Sequence, residues 1–200
     1  MTVLVLDVDG VVVLGHPGGG RWDKNLFDDL QIAPERLQER FFRPHWRAIA
    51  EGEADMLHML ARVWPELDSP ASPRALVDYW FANDSRLNDG LLDEVGAWRA
   101  RGNRAFLGTV QEHHRARYLW STLGLGGHFD GMLYSADLGA AKPKAAFFER
   151  AQARLPARTV GDVVFLDDSI RNVEAAAAFG WRARHYAALD DLRAAMSDAG

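Results

Sequence analysis

The first ten residues constrain the fold of this chain more than any other segment. The apolar run Val3–Leu6 is followed at once by Asp7–Gly10, which reads DVDG. A continuous apolar run is typical of a strand buried on both faces of a parallel sheet, and ligands of such sheets bind beyond the carboxyl ends of the strands. Two carboxylates at such a strand end repel each other and lose solvation. A hard divalent metal ion is the compensation that we expect, although acidic pairs also occur in solvated turns.

Three later segments also carry reactive side chains. One short apolar segment ends in the hydroxyl of Thr109, and Lys142 precedes Pro143, which we expect to start a helix. A second buried run ends in Asp167 and Asp168. Each segment alone has an ordinary explanation as a strand end, a solvated lysine or an acid pair that caps a helix. Together they predict a nucleophile, an acid, a hydroxyl, a fixed cation and metal-ligating carboxylates at one edge of one sheet.

This ordered set resembles the four motifs of the haloacid dehalogenase (HAD) superfamily, most of whose members are magnesium-dependent phosphohydrolases. The residues that carry the resemblance are Asp7, Asp9, Thr109, Lys142, Pro143, Asp167, Asp168 and Ser169. The similarity covers residues 1 to about 14 and about 88 to 186, whereas the segment between them matches only loosely. It is specific because it has four parts in a fixed order.

Two further stretches, Gly139–Ala151 and Asn172–Trp181, are similar to the branch of small sugar-phosphate phosphatases. HAD phosphatases of this kind carry a helical cap domain between the first and second catalytic strands. Strand patterns disappear at residues 16–87 of this chain, where aromatic and helical patterns replace them. The resemblance therefore implies a cap there, with Gly15 and Gly18–Gly20 as its hinge. The glycine run lacks the Lys-Ser/Thr ending of a phosphate-binding P-loop, which favours the hinge.

Outside the cap segment, helical patterns alternate with five strand patterns, at about 2–7, 104–108, 131–135, 163–167 and 182–186. This alternation predicts an α/β fold with a parallel sheet and right-handed crossovers. We expect a Rossmann-like, HAD-like catalytic core formed by residues 1–15 and 88–200, with the small helical cap inserted at 16–87.

The resemblance and the demands of phosphoryl transfer imply a role for each motif residue. Asp7 would be the nucleophile, because a carboxylate is ionised at neutral pH and forms an aspartyl-phosphate without a separate base. Asp9 would protonate the leaving oxygen and then deprotonate the hydrolytic water. Thr109 would hydrogen-bond a phosphate oxygen, and Lys142 would neutralise both the phosphate and the Asp7 charge.

The implied cofactor is Mg²⁺, which prefers octahedral oxygen ligands and retains several waters. Its expected ligands are Asp7, the backbone carbonyl of Asp9 and Asp168, with Asp167 behind them or joined through water. Asn172 stands where many family members have another acid, so direct ligation there is in doubt.

Gly10, Val110 and Gln111 complete the predicted substrate contacts. Gln111 departs from the sugar-phosphatase branch, which often has asparagine there. Specificity would come from the cap, because the motif residues serve only the phosphate. Polar cap residues that could contact the leaving group are Arg43, His45, Arg47 and His58.

Composition limits the class of partner. The chain has 200 residues, a net charge of −5 and 48% apolar residues, which is enough for a buried core. Scattered basic residues argue against nucleic acid as a partner. The absence of cysteine excludes disulfides and is compatible with a cytoplasmic location. We expect no signal peptide and no membrane span, and a small phosphorylated metabolite as the substrate. The sequence does not indicate the oligomeric state.

Four functions remain to be compared. We favour a magnesium-dependent phosphomonoesterase that acts on a small metabolite, with sugar phosphates as candidates. Haloacid dehalogenases need no magnesium and lack the second acid of the first motif, so Asp9 argues against that activity. A phosphomutase is chemically close, but its phosphoenzyme must survive water. A non-catalytic phosphate-binding protein is disfavoured by the intact set of acid, hydroxyl and lysine.

Overall fold

The computed structural model describes residues 2–198, and a parallel sheet of five strands lies at its centre. The strands are β1 Val3–Leu6, β2 Arg104–Thr109, β3 Gly131–Tyr134, β4 Val163–Asp167 and β5 Arg182–His185. They lie in the order β3-β2-β1-β4-β5, and every neighbouring pair is parallel. The predicted α/β fold is therefore confirmed, and each predicted strand boundary lies within one residue of the observed one.

Helices fill the segments between the strands. Those of the inserted segment are α1 Leu26–Leu30, α2 Pro34–Leu37, α3 Arg43–Ala50, α4 Met56–Val63 and α5 Pro73–Asn83. Those around the sheet are α6 Asp89–Ala100, α7 His113–Arg117, α8 Ser135–Leu138, α9 Ala145–Gln152, α10 Ile170–Phe179 and α11 Leu189–Ser197. Two π-helical turns, Gln38–Phe42 and Tyr118–Thr122, continue α2 and α7. Within residues 2–198, none of these helices is both long and apolar enough to cross a membrane.

Both faces of β1 are buried. Leu4 and Leu6 belong to an apolar cluster with residues of α6 and α11, whereas Val3 and Val5 belong to a second cluster with residues of α9 and α10. All four side chains are fully buried, which stabilises the fold by about 1.5–3 kcal/mol for each. The apolar run of the sequence is thus explained by a strand that has no solvent-facing side.

The helices α1–α5 and their loops, which we call the cap, pack around an apolar core of their own. Its centre includes Phe41, Ile49 and Leu60, and aromatic rings cover one side. Trp22 stacks on Trp80 with ring centroids 5.3 Å apart. The predicted helical cap is therefore present, and its aromatic residues serve packing, as expected from their helical spacing.

The two chain segments that join the cap to the core run side by side. The Leu14 N–H donates to the carbonyl of Arg86 at 2.8 Å, and the Arg86 N–H donates to the carbonyl of Gly15 at 3.0 Å. Two residues further along each segment, the Asn88 N–H donates to the carbonyl of Val12 at 2.9 Å. Gly15 therefore belongs to this paired connection, where the sequence predicts the hinge.

The prediction that Pro143 starts a helix is wrong. The helix α9 begins at Ala145, and Lys144 precedes it in an extended conformation. The Lys144 N–H instead donates to the carbonyl of Ala141 at 3.0 Å, which closes a turn that contains Lys142 and Pro143. Proline satisfies this turn as well as it would a first helical turn, because it needs no backbone donor in either.

The cap approaches the core closely at Gly52, in the loop between α3 and α4. Its φ is 75°, and an added Cβ would overlap the carbonyl oxygen of Ala136, at the start of α8. A residue with a side chain fits neither the backbone conformation nor the space. Glycine at this position therefore permits the contact between the two units.

We expect Gly52→Ala to destabilise the protein more than Gly102→Ala does. Both glycines have positive φ, so alanine is strained at either site by about 1–2 kcal/mol. Only at Gly52 does the new methyl group also meet a backbone oxygen, whereas nothing lies within 4 Å of it at Gly102. Urea unfolding of the two variants measures the difference. Equal losses of unfolding free energy would contradict the close approach at Gly52.

Candidate functional site

Two carboxylates meet where β1 and β4 end. Leu6 of β1 pairs with Leu166 of β4, so Asp7 and Asp167 follow at the same edge of the sheet. The Asp7 N–H donates to the carbonyl of Leu166 at 2.9 Å, which extends the pairing by one step. The parallel register thus brings together two acids that are far apart in the sequence, at the edge where such sheets bind ligands.

The ammonium group of Lys142 lies between these two carboxylates. Its Nζ is 2.9 Å from Asp7 Oδ1 and 2.5 Å from Asp167 Oδ2. The lysine side chain is 1% exposed, and its charge also lies over the ring of Phe165, 5.3 Å from the centroid. A buried cation of this kind requires paired charges with good geometry, which the two carboxylates provide.

Asp167 has little capacity left for a further ligand. Besides Lys142, its carboxylate accepts a hydrogen bond of 2.8 Å from the Ser169 N–H and two of 3.0 Å from the Asn172 side chain. The residue is fully buried. These donors orient Asp167 towards the lysine. Asn172, the position at which the sequence departs from the family pattern, therefore holds this acid.

A third carboxylate, that of Asp168, completes a cluster that could hold a metal ion. One oxygen each from Asp7, Asp167 and Asp168 lies within 4.8 Å of the others. Gly10 makes this arrangement possible, because its φ is 79° and a Cβ there would overlap the Asp168 carboxylate. Nε2 of His185 lies 2.8 Å from the Asp168 carbonyl oxygen and supports the backbone of that residue.

The electrostatics of the cluster fit a site for a cation. Burial raises the pKa of Asp7 to about 7; Lys142 opposes this shift, while the negative charges of Asp167 and Asp9 add to it. For Lys142, burial lowers the pKa, but the two adjacent carboxylates outweigh burial and leave the pKa above its ordinary value. Desolvation and the charge of Asp167 raise the pKa of Asp168. Additional positive charge would stabilise all these carboxylates in their ionised form.

The Asp9 carboxylate is not part of this cluster and is bound by Gln111. Gln111 Nε2 donates to Asp9 Oδ2 at 2.7 Å and lies 3.4 Å from the hydroxyl oxygen of Thr109, which is fully buried. Asp9 remains accessible to solvent, yet the protein packed around it reduces its solvation and raises its pKa to about 6. The Gln111 amide therefore lies between the second acid and the hydroxyl that the sequence assigns to phosphate binding.

A cavity of about 530 Å³ opens beside Asp9 and Gly10. The linkers and the start of the cap form its other walls, where the polar and aromatic residues are Arg21, Trp22, Asp84 and Arg86. This volume lies within the range of small-molecule sites. The residues that line the cavity thus differ from the cap residues that the sequence suggested.

Those cap residues lie elsewhere. Arg47 forms ion pairs with Glu51 and Glu53 at 3.0 Å each, and it does not line the cavity. Arg43, His45 and His58 are likewise not among the lining residues. Of the residues predicted to contact substrate, Gly10 lines the cavity, while Val110 follows β2 and leads directly into Gln111.

Several supporting residues of the site could not be predicted from the sequence, because their partners are distant in it. The side chain of Arg115 is 1% exposed; it donates to the carbonyl of Phe81 at 3.2 Å and forms an ion pair with Asp84 at 3.5 Å. Its nearest sequence signal is Glu112, whose carboxylate caps α7. No local pattern distinguishes these side chains from solvated ones.

Comparisons with known proteins agree with this geometry. The sequence matches the family model "haloacid dehalogenase-like hydrolase" over residues 1–180. A search of curated proteins gives no significant match.

Solved structures of HAD proteins share the fold at low sequence identity. A HAD family enzyme from Bacteroides thetaiotaomicron, in complex with magnesium and inorganic phosphate, has a TM-score of 0.75 at 16% identity, covering 93% of each chain. The putative HAD hydrolase YfnB from Bacillus subtilis, bound to magnesium, has a TM-score of 0.65 at 17% identity, covering 98% of each chain. The L-2-haloacid dehalogenase from Xanthobacter autotrophicus has a TM-score of 0.61 at 17% identity, covering 90% of this chain and 76% of that one.

The structural neighbours include enzymes of more than one activity, so they establish the fold and not the reaction. The family match covers both the core and the cap, and the motif residues meet at one edge of the sheet. The chain belongs to the haloacid dehalogenase-like hydrolases.

Proposed function

We propose that this hydrolase is a magnesium-dependent phosphomonoesterase that acts on a small phosphorylated metabolite through an aspartyl-phosphate on Asp7. The observation that carries the proposal is that the two acids of the first motif have different surroundings. Asp7 is held against the Lys142 ammonium group, whereas Asp9 lines the cavity beside it. A nucleophile and an acid on the leaving-group side are the two groups that phosphoester hydrolysis needs from carboxylates.

Asp7 is suited to attack on phosphorus. The adjacent Lys142 balances its negative charge, which reduces repulsion between the carboxylate and an anionic phosphate. The side chain is also fixed by a hydrogen bond of 2.7 Å from the Val8 N–H to Oδ1. Attack joins an Asp7 oxygen to phosphorus and breaks the bond from phosphorus to the leaving oxygen.

Asp9 would supply the proton for that leaving oxygen. A proton donor works best when its pKa lies near the working pH, and the raised pKa of Asp9, about 6, moves it in that direction. After the alcohol leaves, the same carboxylate would take a proton from water, which then attacks the phosphorus and releases Asp7. Gln111, through its bond of 2.7 Å, fixes the direction in which Asp9 points.

The remaining contacts to phosphate are proposed for Lys142, Thr109 and the backbone N–H of Val110. Thr109 is buried and its hydroxyl accepts a hydrogen bond of 3.4 Å from the Gln111 amide, so a phosphate oxygen that took this place would displace the amide. Such a movement would also alter the hydrogen bond to Asp9. Phosphate binding and the orientation of the acid are therefore linked through Gln111.

The donor set fits Mg²⁺. Asp7, Asp168 and the backbone carbonyl of Asp9 would hold the ion, while Asp167 is already occupied by Lys142, Ser169 and Asn172. Carboxylate and carbonyl oxygens are the ligands that Mg²⁺ prefers. When bound, the ion supplies positive charge to the phosphate oxygens. The enzyme from Bacteroides thetaiotaomicron, which binds magnesium and phosphate, supports this proposal.

The substrate would be small, since its leaving group has to fit a cavity of about 530 Å³ beside Asp9. The Trp22 ring and the charged groups of Asp84 and Arg86 suit a polar leaving group such as a sugar. A dehalogenase is less well supported, because displacement of a halide needs no proton donor at Asp9.

Hydrolysis of p-nitrophenyl phosphate should require Mg²⁺ and stop when the ion is removed with EDTA. The physical reason is that the carboxylate cluster needs positive charge before an anionic phosphate can approach. A screen of phosphorylated metabolites with and without Mg²⁺ then identifies the substrate class. Full activity in excess EDTA, or release of halide from 2-haloacids without phosphatase activity, would contradict the proposal.

The variants Asp7→Asn and Asp9→Asn should fail at different steps. Asp7→Asn should lose turnover and form no phosphoenzyme, because an amide is a poor nucleophile. Asp9→Asn should be slowed by about 10²- to 10⁴-fold, and least on p-nitrophenyl phosphate, whose leaving group needs little protonation. Intact mass after an acid quench should reveal an added phosphoryl group on Asp9→Asn only.

A phosphoryl group on residue 9 of the wild-type protein would overturn this assignment, as would full activity of Asp7→Asn. Peptide mapping of the quenched protein locates the adduct.

Gly10→Ala should weaken Mg²⁺ binding by about 10-fold or more, because the new methyl group would displace the Asp168 carboxylate. Gly19→Ala is the matched control: its φ is also 79°, so the backbone strain is equal, but nothing lies within 4 Å of the added methyl. Magnesium titration of activity and of thermal stability measures the effect. An equal loss of affinity in both variants would show that Gly10 does not create room for Asp168.

A further inference from the structure

One loop of the cap touches the core at four points. This docking loop consists of Ala50, the last residue of α3, and residues 51–55, which lead to α4. The Ser135 hydroxyl donates to the carbonyl of Ala50 at 2.6 Å, and Gly52 lies against Ala136. At the other end of the loop, His114 Nε2 lies 3.0 Å from Asp55 Oδ2. The docking loop is therefore held by the segments that follow β2 and β3.

Glu51 makes the fourth contact, and its surroundings are unusual for an acid. Its side chain is 5% exposed, although carboxylates are rarely buried unless they are paired. One oxygen accepts a hydrogen bond of 3.3 Å from the Ala141 N–H and also binds the Lys144 ammonium group. The other oxygen accepts from Arg47 of the cap at 3.0 Å. Two of its three partners thus belong to the core.

Those two core partners lie on either side of Lys142 in the sequence. Ala141 precedes this lysine directly, and Lys144 follows it after Pro143. Glu51 therefore holds the turn 141–144 on both sides of the residue that contacts Asp7. Among residues 2–198, Glu51 is the only cap carboxylate that binds this turn.

We infer that Glu51 is a positioning residue for Lys142, and that it makes the position of the lysine depend on docking of the cap. When Glu51 is bound, the turn 141–144 is fixed from the outside, and the ammonium group is directed between Asp7 and Asp167. Without it, the Ala141 N–H and the Lys144 side chain turn to water, and only the buried end of Lys142 is held. The inference rests on the proposed function, because it assigns Lys142 to the binding of a phosphate.

A simpler role for Glu51 is to fasten the cap alone. Such a fastening would affect stability and access of large substrates, but it would leave the lysine unchanged. The two roles differ in one measurable property, the affinity of the core for a free tetrahedral oxyanion. Such an anion is small and carries no leaving group that the cap would have to bind. A change in its affinity therefore reports on the residues that contact the anion.

The test uses tungstate, measured by isothermal titration calorimetry with the whole chain and Mg²⁺. Glu51→Gln keeps the shape but removes the charge, and it should weaken tungstate binding by about 10-fold, a usual size for coupling between sites. Lys144→Met removes the exposed partner and should produce part of this loss. Glu53→Gln is the matched control: this exposed acid pairs with the same Arg47 and lacks a core partner in the described residues, so binding should be unchanged.

The decisive measurement repeats Glu51→Gln in a Lys142→Ala background. If Glu51 acts through Lys142, the second substitution should change tungstate affinity by no more than about twofold. A full additional loss in that background would overturn the inference, as would wild-type affinity in both Glu51→Gln and Lys144→Met. Lys144→Met keeps the test open if Glu51→Gln does not fold, because its side chain is largely exposed.

The outcomes separate this inference from the proposed function. If the wild type hydrolyses p-nitrophenyl phosphate and binds tungstate, and the Glu51 and Lys144 variants bind tungstate equally well, then the positioning role is wrong and the phosphatase stands. If the wild type does neither, the proposed function fails and the inference falls with it.

Discussion

The site depends on the ion pairs that the buried ammonium group of Lys142 forms with two carboxylates. This group lies within 2.9 Å of both the Asp7 and Asp167 carboxylates, away from water. Removing one member of such a group leaves an uncompensated charge at a cost of about 3–5 kcal/mol. The three side chains come from the ends of β1 and β4 and from the turn before α9, so one network joins two strands to the helical layer. The same charges that stabilise this junction also surround the proposed nucleophile.

The sheet and the acids of the site could be predicted because their signals are local. A strand buried on both faces needs an unbroken apolar run, and such runs end at Asp7 and at Asp167. Parallel register then brings these two ends together, since Leu6 lies opposite Leu166. The aromatic core of the cap follows from helical spacing in the same way. In each case, a few neighbouring residues carry the whole argument.

The supporting contacts could not be predicted, because each joins residues with no common local pattern. Gln111 binds Asp9 across 102 positions, and Glu51 binds Lys144 across 93. The sequence marks Gln111 only as a departure from a family pattern and gives no sign that Glu51 is buried. A local rule also failed at Pro143, where a turn and a helix start are equally compatible with proline. Side chains of this kind become recognisable only when the tertiary partners are known.

The cap is fastened to the core at two places that differ in their relation to the linkers. Arg115, with Phe81 and Tyr118 rings 5.2 and 5.4 Å from its charge, binds the end of α5 directly before the return linker. Glu51 lies in the docking loop, which contacts the segments after β2 and β3 rather than the linkers. In a rotation about the linkers, contacts beside the axis change least. If the cap rotated in this way, the bonds of Arg115 would persist while those of Glu51 broke, and the turn that carries Lys142 would lose its contact with the cap.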